Sequence, residues 1–296
     1  MSERDVIITN PNIHDIETIY RYIREMNISC DSMEDSFFIS LEEMKMFHSL
    51  NYFKINKLAS KMNNSEMLGF SLFFLEYNDI YGWGIYLDDI FVIENYRRKG
   101  LGSFQICQLA KMCKENNFKF IKLIYQNVHS RPCEMYEKLG FTNSGFQLME
   151  VFGKHSVQML KRRFTDSFDG FDLLHDSCVS ISESERPINC GVLWSVVLRD
   201  GKFYNLSLQT SYNCWLGPML FVNNCNGDAD TVTSKDIWMV FMLFLQKYPE
   251  TLGIWIDVRD TKFEALLKDL GFVNITETEN WTSLVLNEVG IENLLK

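Results

Sequence analysis

Basic residues are scarce in this 296-residue chain: 29 lysines and arginines face 39 aspartates and glutamates, for a formal net charge of −10. An acidic surface repels nucleic acid and anionic membranes and favours cationic partners. No Cys-x-x-Cys spacing occurs among the eight cysteines, Cys30, Cys107, Cys113, Cys133, Cys178, Cys190, Cys214 and Cys225, so a zinc site has no support. No apolar run reaches the length of a membrane-spanning helix; residues 237–245 fall far short. The opening Met-Ser-Glu-Arg-Asp lacks the apolar segment of a secretory leader. These absences lead to the expectation of a reduced, cytoplasmic protein with no metal, no nucleic acid and no membrane among its partners. What the chain does have is apolar bulk, 46% hydrophobic and 14% aromatic. That suits a well-packed globular protein with room for two domains.

The most informative stretch runs from residue 85 to 141. Ile85-Tyr-Leu-Asp-Asp-Ile-Phe-Val92 is rich in β-branched and aromatic residues and predicts a strand. Arg97-Arg-Lys-Gly-Leu-Gly102 follows, and then a helical run from Ser103 with apolar residues at Phe104, Cys107, Leu109, Ala110 and Cys113. Gly100 and Gly102 let the backbone turn tightly and come close to a ligand. The helix N-terminus adds free N–H groups and positive potential, and Arg97, Arg98 and Lys99 add charge. The unit is suited to a phosphate or pyrophosphate. It is not a P-loop, since no Gly-Lys-Ser/Thr closes it, and it lacks the Gly-x-Gly-x-x-Gly dinucleotide fingerprint. An ordinary strand-to-helix turn is the alternative.

The spacing Arg97-x-x-Gly100-x-Gly102, with Tyr136-Glu-Lys-Leu-Gly-Phe141 downstream, resembles the acyl-CoA loop and acid helix of the GNAT N-acetyltransferases. Within that superfamily, residues 68–77 and 85–92 look like the diamine (spermidine/spermine) and thialysine acetyltransferases. Asp88 stands where those carry Glu, one methylene shorter. The resemblance covers residues 1 to 161, about half the chain. It implies the GNAT acyl-CoA fold, an α/β (α+β) arrangement of a mixed, mostly antiparallel sheet flanked by helices. It also implies acetyl-CoA as co-substrate. Ile90, Phe91 and Val92 would offer backbone hydrogen bonds to the pantetheine arm. Arg97, Arg98, Lys99, Gly100, Leu101, Gly102 and Ser103 would hold the pyrophosphate. His129 occupies the family's usual asparagine position; it is taken as a CoA contact and given no catalytic role.

Acetyl transfer to an amine needs a neutral amine and a protonated leaving thiolate. A lysine-like amine has a pKa of about 10.4, so a carboxylate must attract it and a base must take its proton. Asp88 and Asp89 lie mid-strand, where alternation would send one carboxylate to each face. The resemblance gives Asp88 the cleft: amine binding and a water-relayed base. Asp89 is expected to be a satisfied structural acid beside the amine site. Asp31, Glu34 and Asp35 resemble the acidic segment that lines the polyamine groove, a solvated acidic loop being the alternative. Tyr136 would protonate the thiolate.

Either side of this unit, strands are expected at residues 6–9, 52–58, 68–77 and 118–125, with helices near residues 16–23 and 41–50. Residues 146–152 and 156–160 are read as a hairpin completing a first domain, 1–163. The second half repeats the order weakly: strands at 192–198, 202–209, 215–222, 253–258 and 281–286, and helices at 234–247 and 261–270. Leu267-Lys-Asp-Leu-Gly-Phe272 echoes Glu137-Lys-Leu-Gly-Phe141, while residues 223–230 form a loop with two acids and no arginine. Residues 171–296 are therefore expected to be a degenerate GNAT-like domain without a CoA loop. A generic α/β domain is the alternative. The expected function is acetylation of a small polyamine or lysine-like amine, in a monomer with an internal pseudo-dimer or in a homodimer. Two alternatives stand beside it: a non-catalytic CoA-binding or interaction protein, and a protein lysine or N-terminal acetyltransferase.

Overall fold

The computed structural model describes residues 5–29, 39–78, 81–126, 130–152, 157, 179–185, 192–198, 204–213, 217–227 and 232–296. The first half contains β1 (Val6–Thr9), α1 (Ile13–Ser29), α2 (Leu41–Ser49), β2 (Lys54–Ser60), β3 (Met67–Asn78) and β4 (Gly82–Val92). It continues through a 3-10 turn (Glu94–Tyr96), α3 (Leu101–Glu115), β5 (Phe120–Gln126), α4 (Ser130–Lys138), β6 (Thr142–Asn143) and β7 (Gln147–Phe152). The second half contains β8 (Val179–Glu185), β9 (Val192–Leu198), β10 (Tyr204–Asn213), β11 (Gly217–Gly227), α5 (Ser234–Lys247) and β12 (Gly253–Val258). It ends with α6 (Thr261–Leu270), β13 (Val273–Asn274), α7 (Ile275–Thr278), β14 (Trp281–Asn287) and α8 (Glu288–Leu294). Among the described residues no helix is long and apolar enough to cross a membrane.

Local signals place these elements. Ser40 caps α2 in a reciprocal box with Glu43, and Asp260 caps α6 by accepting from the Lys262 amide. Gly271, at φ 94°, closes α6 in the left-handed conformation. The apolar run of β3 is buried on both faces. Phe73 and Leu75 pack toward α3, whereas Phe70, Leu72 and Phe74 pack toward the second half of the chain.

The strands form two seven-stranded sheets, β1-β2-β3-β4-β5-β14-β6 and β8-β9-β10-β11-β12-β7-β13. Both are mixed, with a single parallel pairing, β4–β5 in one and β11–β12 in the other. The two orders correspond strand for strand, with α3 and α5 as the equivalent crossovers. The sixth strand of each sheet comes from the other half of the chain. β14 pairs antiparallel with β5, Leu284 opposite Leu123, and β7 pairs antiparallel with β12, Ile254 opposite Val151. This corrects two expectations. Residues 147–152 do not complete the first unit's sheet, and residues 281–287 do not belong to the second unit's. The expected partner strand 156–160 lies outside the described residues except for Val157, which is buried in the second unit's core. Residues 163–171, where the boundary was placed, also lie outside them. β11 continues to Gly227, through residues read as loop.

The sheets face each other across a shared core. Ile16, Ile19 and Ile23 of α1 and Phe47 of α2 meet Tyr212, Phe221 and Trp255 of the second sheet there. Phe53 stacks on Tyr212 with ring centroids 4.2 Å apart. Into this apolar layer projects Lys122 of β5, only 2% exposed. Its Nζ donates to Glu76 Oε1 of β3 at 3.1 Å and to Asp257 Oδ2 of β12, so the ion triad joins the two units. Burial disfavours the lysine's charge, but Asp257 and Glu76 outweigh it and hold its pKa above the ordinary value. Removing one member of a buried ionic cluster strands the others. Lys122→Met is therefore expected to lower unfolding stability by roughly 3–5 kcal/mol in urea titrations. Adding Glu76→Leu and Asp257→Leu to it should recover most of the loss.

The exchanged β7 carries a further acid, Glu150, which is half-buried. Glu150 accepts from the Trp255 indole N–H. Burial raises its pKa from 4.5 to about 7, the indole N–H opposes that rise, and Glu279 adds to it. The folded state thus retains a proton that the unfolded chain has released. The stability this contributes is complete below pH 4.5 and is lost as pH rises through about 7. Glu150→Gln should melt progressively higher than the parent between these values, with a constant difference above them, by calorimetry across pH.

Candidate active site

The site is organised by β4. Its antiparallel ladder with β3 is regular except at one point, where Leu72 faces Asp89 and Phe73 faces Leu87. Asp88 is the extra residue of a β-bulge, which bends the strand and re-aims its side chains. On the other side, β4 pairs parallel with β5 at Ile85–Ile121 and Tyr86–Lys122, and beyond these the strands part. In the second unit, β11 and β12 stay paired from Met219–Gly253 to Val222–Ile256.

The loop after β4 turns on two left-handed residues, Arg98 at φ 59° and Gly100 at φ 79°. Gly100 is the N-cap of α3; no side chain caps this end, and no acid lies in its first turn. Gly102 is needed for packing: a Cβ there would lie 3.1 Å from Met135 Sδ of α4. Leu101 is buried against Val6, Leu58 and Leu68. Arg97 folds back, its Nε donating to the Val92 carbonyl at 2.9 Å and its guanidinium lying over the Phe91 ring. Lys99 donates to the Asn95 carbonyl at 2.9 Å. Arg98 is exposed. Gln105, buried in α3, donates to the Phe91 carbonyl at 3.2 Å and fixes the end of β4. Phe91 stacks on Tyr22, and Ile90 packs toward α3.

The equivalent turn of the second unit is filled by its own chain. Thr233 caps α5, and the Asp236 carboxylate closes the reciprocal box on the Thr233 amide. A carboxylate already sits where α3 offers free N–H groups.

The two acids of the bulge point to different surroundings. Asp88 accepts from Asn213 Nδ2 of β10 at 3.3 Å, so the second unit reaches the site directly. Asp89 lies near Tyr136 of α4. Burial, chiefly, and then the charge of Asp89 raise the tyrosine's pKa. Tyr136 is 6% exposed and packs edge-on against Phe141 at 5.5 Å. Beside it, the Tyr125 hydroxyl and Cys133 Sγ are hydrogen bonded at 3.0 Å, with Glu137 beyond. Burial and Cys133 raise the Tyr125 pKa to about 12. Asp31, Glu34, Asp35 and His129 lie outside the described residues, as do Asp228 and Asp230. Asn213, Gln105 and the Tyr125–Cys133 pair were not anticipated. Asn213 sits 125 positions from Asp88, and only alignment of the two units by fold would have pointed to it.

Residues 26–141 match the model of the acetyltransferase (GNAT) family. That stretch is thus a domain of the acetyltransferase (GNAT) kind. Thialysine N-epsilon-acetyltransferase of Sus scrofa is 28% identical over 161 residues, covering 52% of this chain and 91% of that protein. L-ornithine N5-acetyltransferase NATA1 of Arabidopsis thaliana is 32% identical over 84 residues, 28% of this chain and 37% of that one. Among solved structures, a tandem GNAT protein from the clavulanic acid biosynthesis pathway covers 96% of this chain and 99% of its own, at 9% identity and a TM-score of 0.44.

The contrast between α3 and α5 predicts one CoA site per chain. Calorimetric titration with CoA should give a stoichiometry of one. Gly100→Glu places a side chain at a positive φ and a negative charge at the N-terminal end of α3. It should weaken CoA binding at least about tenfold while leaving the far-ultraviolet dichroism unchanged.

Proposed function

We propose that this chain transfers an acetyl group from acetyl-CoA to a primary amine of a small polyamine or lysine-like molecule, by direct attack in a ternary complex. The observation that carries this reading is the convergence at β4. β4 carries Asp88 and Asp89 at its bulge, the loop after it leads into the uncapped N-terminus of α3, and Asp89 is near enough to Tyr136 to act on its charge. The names of the thialysine and ornithine relatives support an amine acceptor of this size.

On this reading the N-terminal turn of α3, with Arg98 and Lys99, holds the pyrophosphate, and the open edge of β4 from Ile90 to Val92 lies along the pantetheine arm. Acetyl-CoA supplies the activated thioester. An acceptor amine with a pKa of about 10.4 arrives charged. Asp88 attracts it and takes its proton through water, and Asn213 orients the carboxylate. Asp89 adds negative potential and keeps Tyr136 protonated, because a nearby anion disfavours a tyrosinate. Tyr136 then has its proton ready for the departing thiolate. Asp31, Glu34 and Asp35 are proposed to extend the acidic groove. The exchanged strands and the Asn213 contact favour a single chain acting as its own dimer, the second unit in the place of a partner protomer. The net negative charge and the unbridged thiols Cys113 and Cys133 fit a cytoplasmic enzyme with no nucleic-acid partner.

A thiol-release assay with acetyl-CoA across polyamines, thialysine, lysine and peptides tests this. Release should be fastest with the small diamines or lysine-like amines, and Tyr136→Phe should lower kcat about a hundredfold with KM for acetyl-CoA little changed. Turnover confined to peptides would overturn the acceptor assignment. Undiminished turnover by Tyr136→Phe would remove that tyrosine from the chemistry.

A further inference from the structure

The face of the first sheet that carries α3 opens, beyond the anion loop, into a cavity of about 380 Å³. Phe73 and Leu75 of β3 and Met112 of α3 line its apolar side. Met112 is ten residues along the helix from Gly102, or about 15 Å at 1.5 Å per residue. The cavity therefore lies well away from the N-terminal end of α3. Lys54 and Asn56 of β2 and His48 of α2 line its polar side.

Lys54 and Asn56 are two apart on one strand and so share a face. Asn56 is 8% exposed. It lines an accessible cavity. The Lys54 ammonium donates to Asn51 Oδ1 at 2.5 Å and has further donor capacity. His48 packs on Phe53 and is held neutral by burial and by Lys54, leaving one cation in the cavity wall.

We propose that this cavity is a binding site for a small carboxylate with an apolar body, an aromatic or branched short-chain acid. Lys54 supplies the charge for the carboxylate. The Asn56 amide supplies a donor for its second oxygen. Phe73, Leu75 and Met112 take the body. A single cation over an apolar floor suits a monoanion better than a phosphate, and the same cation repels an amine such as the acceptor proposed above.

The test uses the full chain saturated with acetyl-CoA and 4-fluorobenzoate as probe, followed by fluorine NMR. The probe should bind saturably with a Kd of about 1 mM or tighter, and acetyl-CoA should not displace it. Lys54→Met, and the neutral 4-fluorobenzamide on the parent chain, should each weaken binding at least about tenfold. Asn56→Leu should do the same. Met112→Trp, which fills the floor from α3 without altering β2, should abolish binding. The proposal is overturned if the parent chain does not bind the probe saturably. It is equally overturned if acetyl-CoA displaces the probe, or if Lys54→Met and Met112→Trp bind it as the parent does.

Discussion

The antiparallel ladder between Phe120–Gln126 and Trp281–Asn287 is the contact on which the active half of this molecule rests. It places Leu284 and Leu286 in the core that also holds Tyr136 and Phe141. Gly140, which turns the chain out of α4 at φ 89°, sits with its missing Cβ 3.6 Å from Leu286. Thr142 and Ser144, just after that turn, bond to the backbone of β14. The helix bearing the proposed acid is therefore seated on residues from the far end of the chain. Neither sheet is a product of one half alone, and the shared core and the Lys122 triad tie the same two units a second and third time.

Within this frame the two units differ where it matters for chemistry. Both use a parallel pair crossed by a helix, but only the first parts its strands early. Only the first leaves its crossover helix without a side-chain cap or an acid in the first turn, whereas Thr233 and Asp236 occupy that position in the second. Capping adds to helix stability and removes the free donors an anion would need. The second unit has the better-capped helix, and the first leaves its helix end without a side-chain cap.

Much of this was readable in the residues. Helical spacing and caps gave α5 and α6 their observed bounds, and β12 was legible as a short apolar run between turn residues. The Arg97-to-Gly102 spacing located the loop because glycine and helix geometry act locally. Strand partnership was not readable. The alternation in Gln147–Phe152 or Trp281–Asn287 states that a strand has buried faces, and it reads the same whichever sheet buries them. Nor could alternation alone disclose the bulge at Asp88, which depends on the register of β3. The weakly apolar Val179–Glu185 gave no periodic signal, yet it forms the edge strand β8. Asn213 is one polar residue in a strand until the second sheet is laid against the first.

The strand exchange also sets an order in time. When β5 leaves the ribosome, the strand that belongs beside it is still roughly 150 residues from being made, on the order of ten seconds or more at ordinary rates of synthesis. Through that interval one edge of β5 faces no permanent neighbour, and an open edge invites pairing with other chains. Closure of both sheets needs contacts between strands roughly a hundred or more positions apart, which slows folding. The exchange thus leaves the first sheet waiting on β14, whereas the second has its exchanged strand, β7, made before any of its own strands.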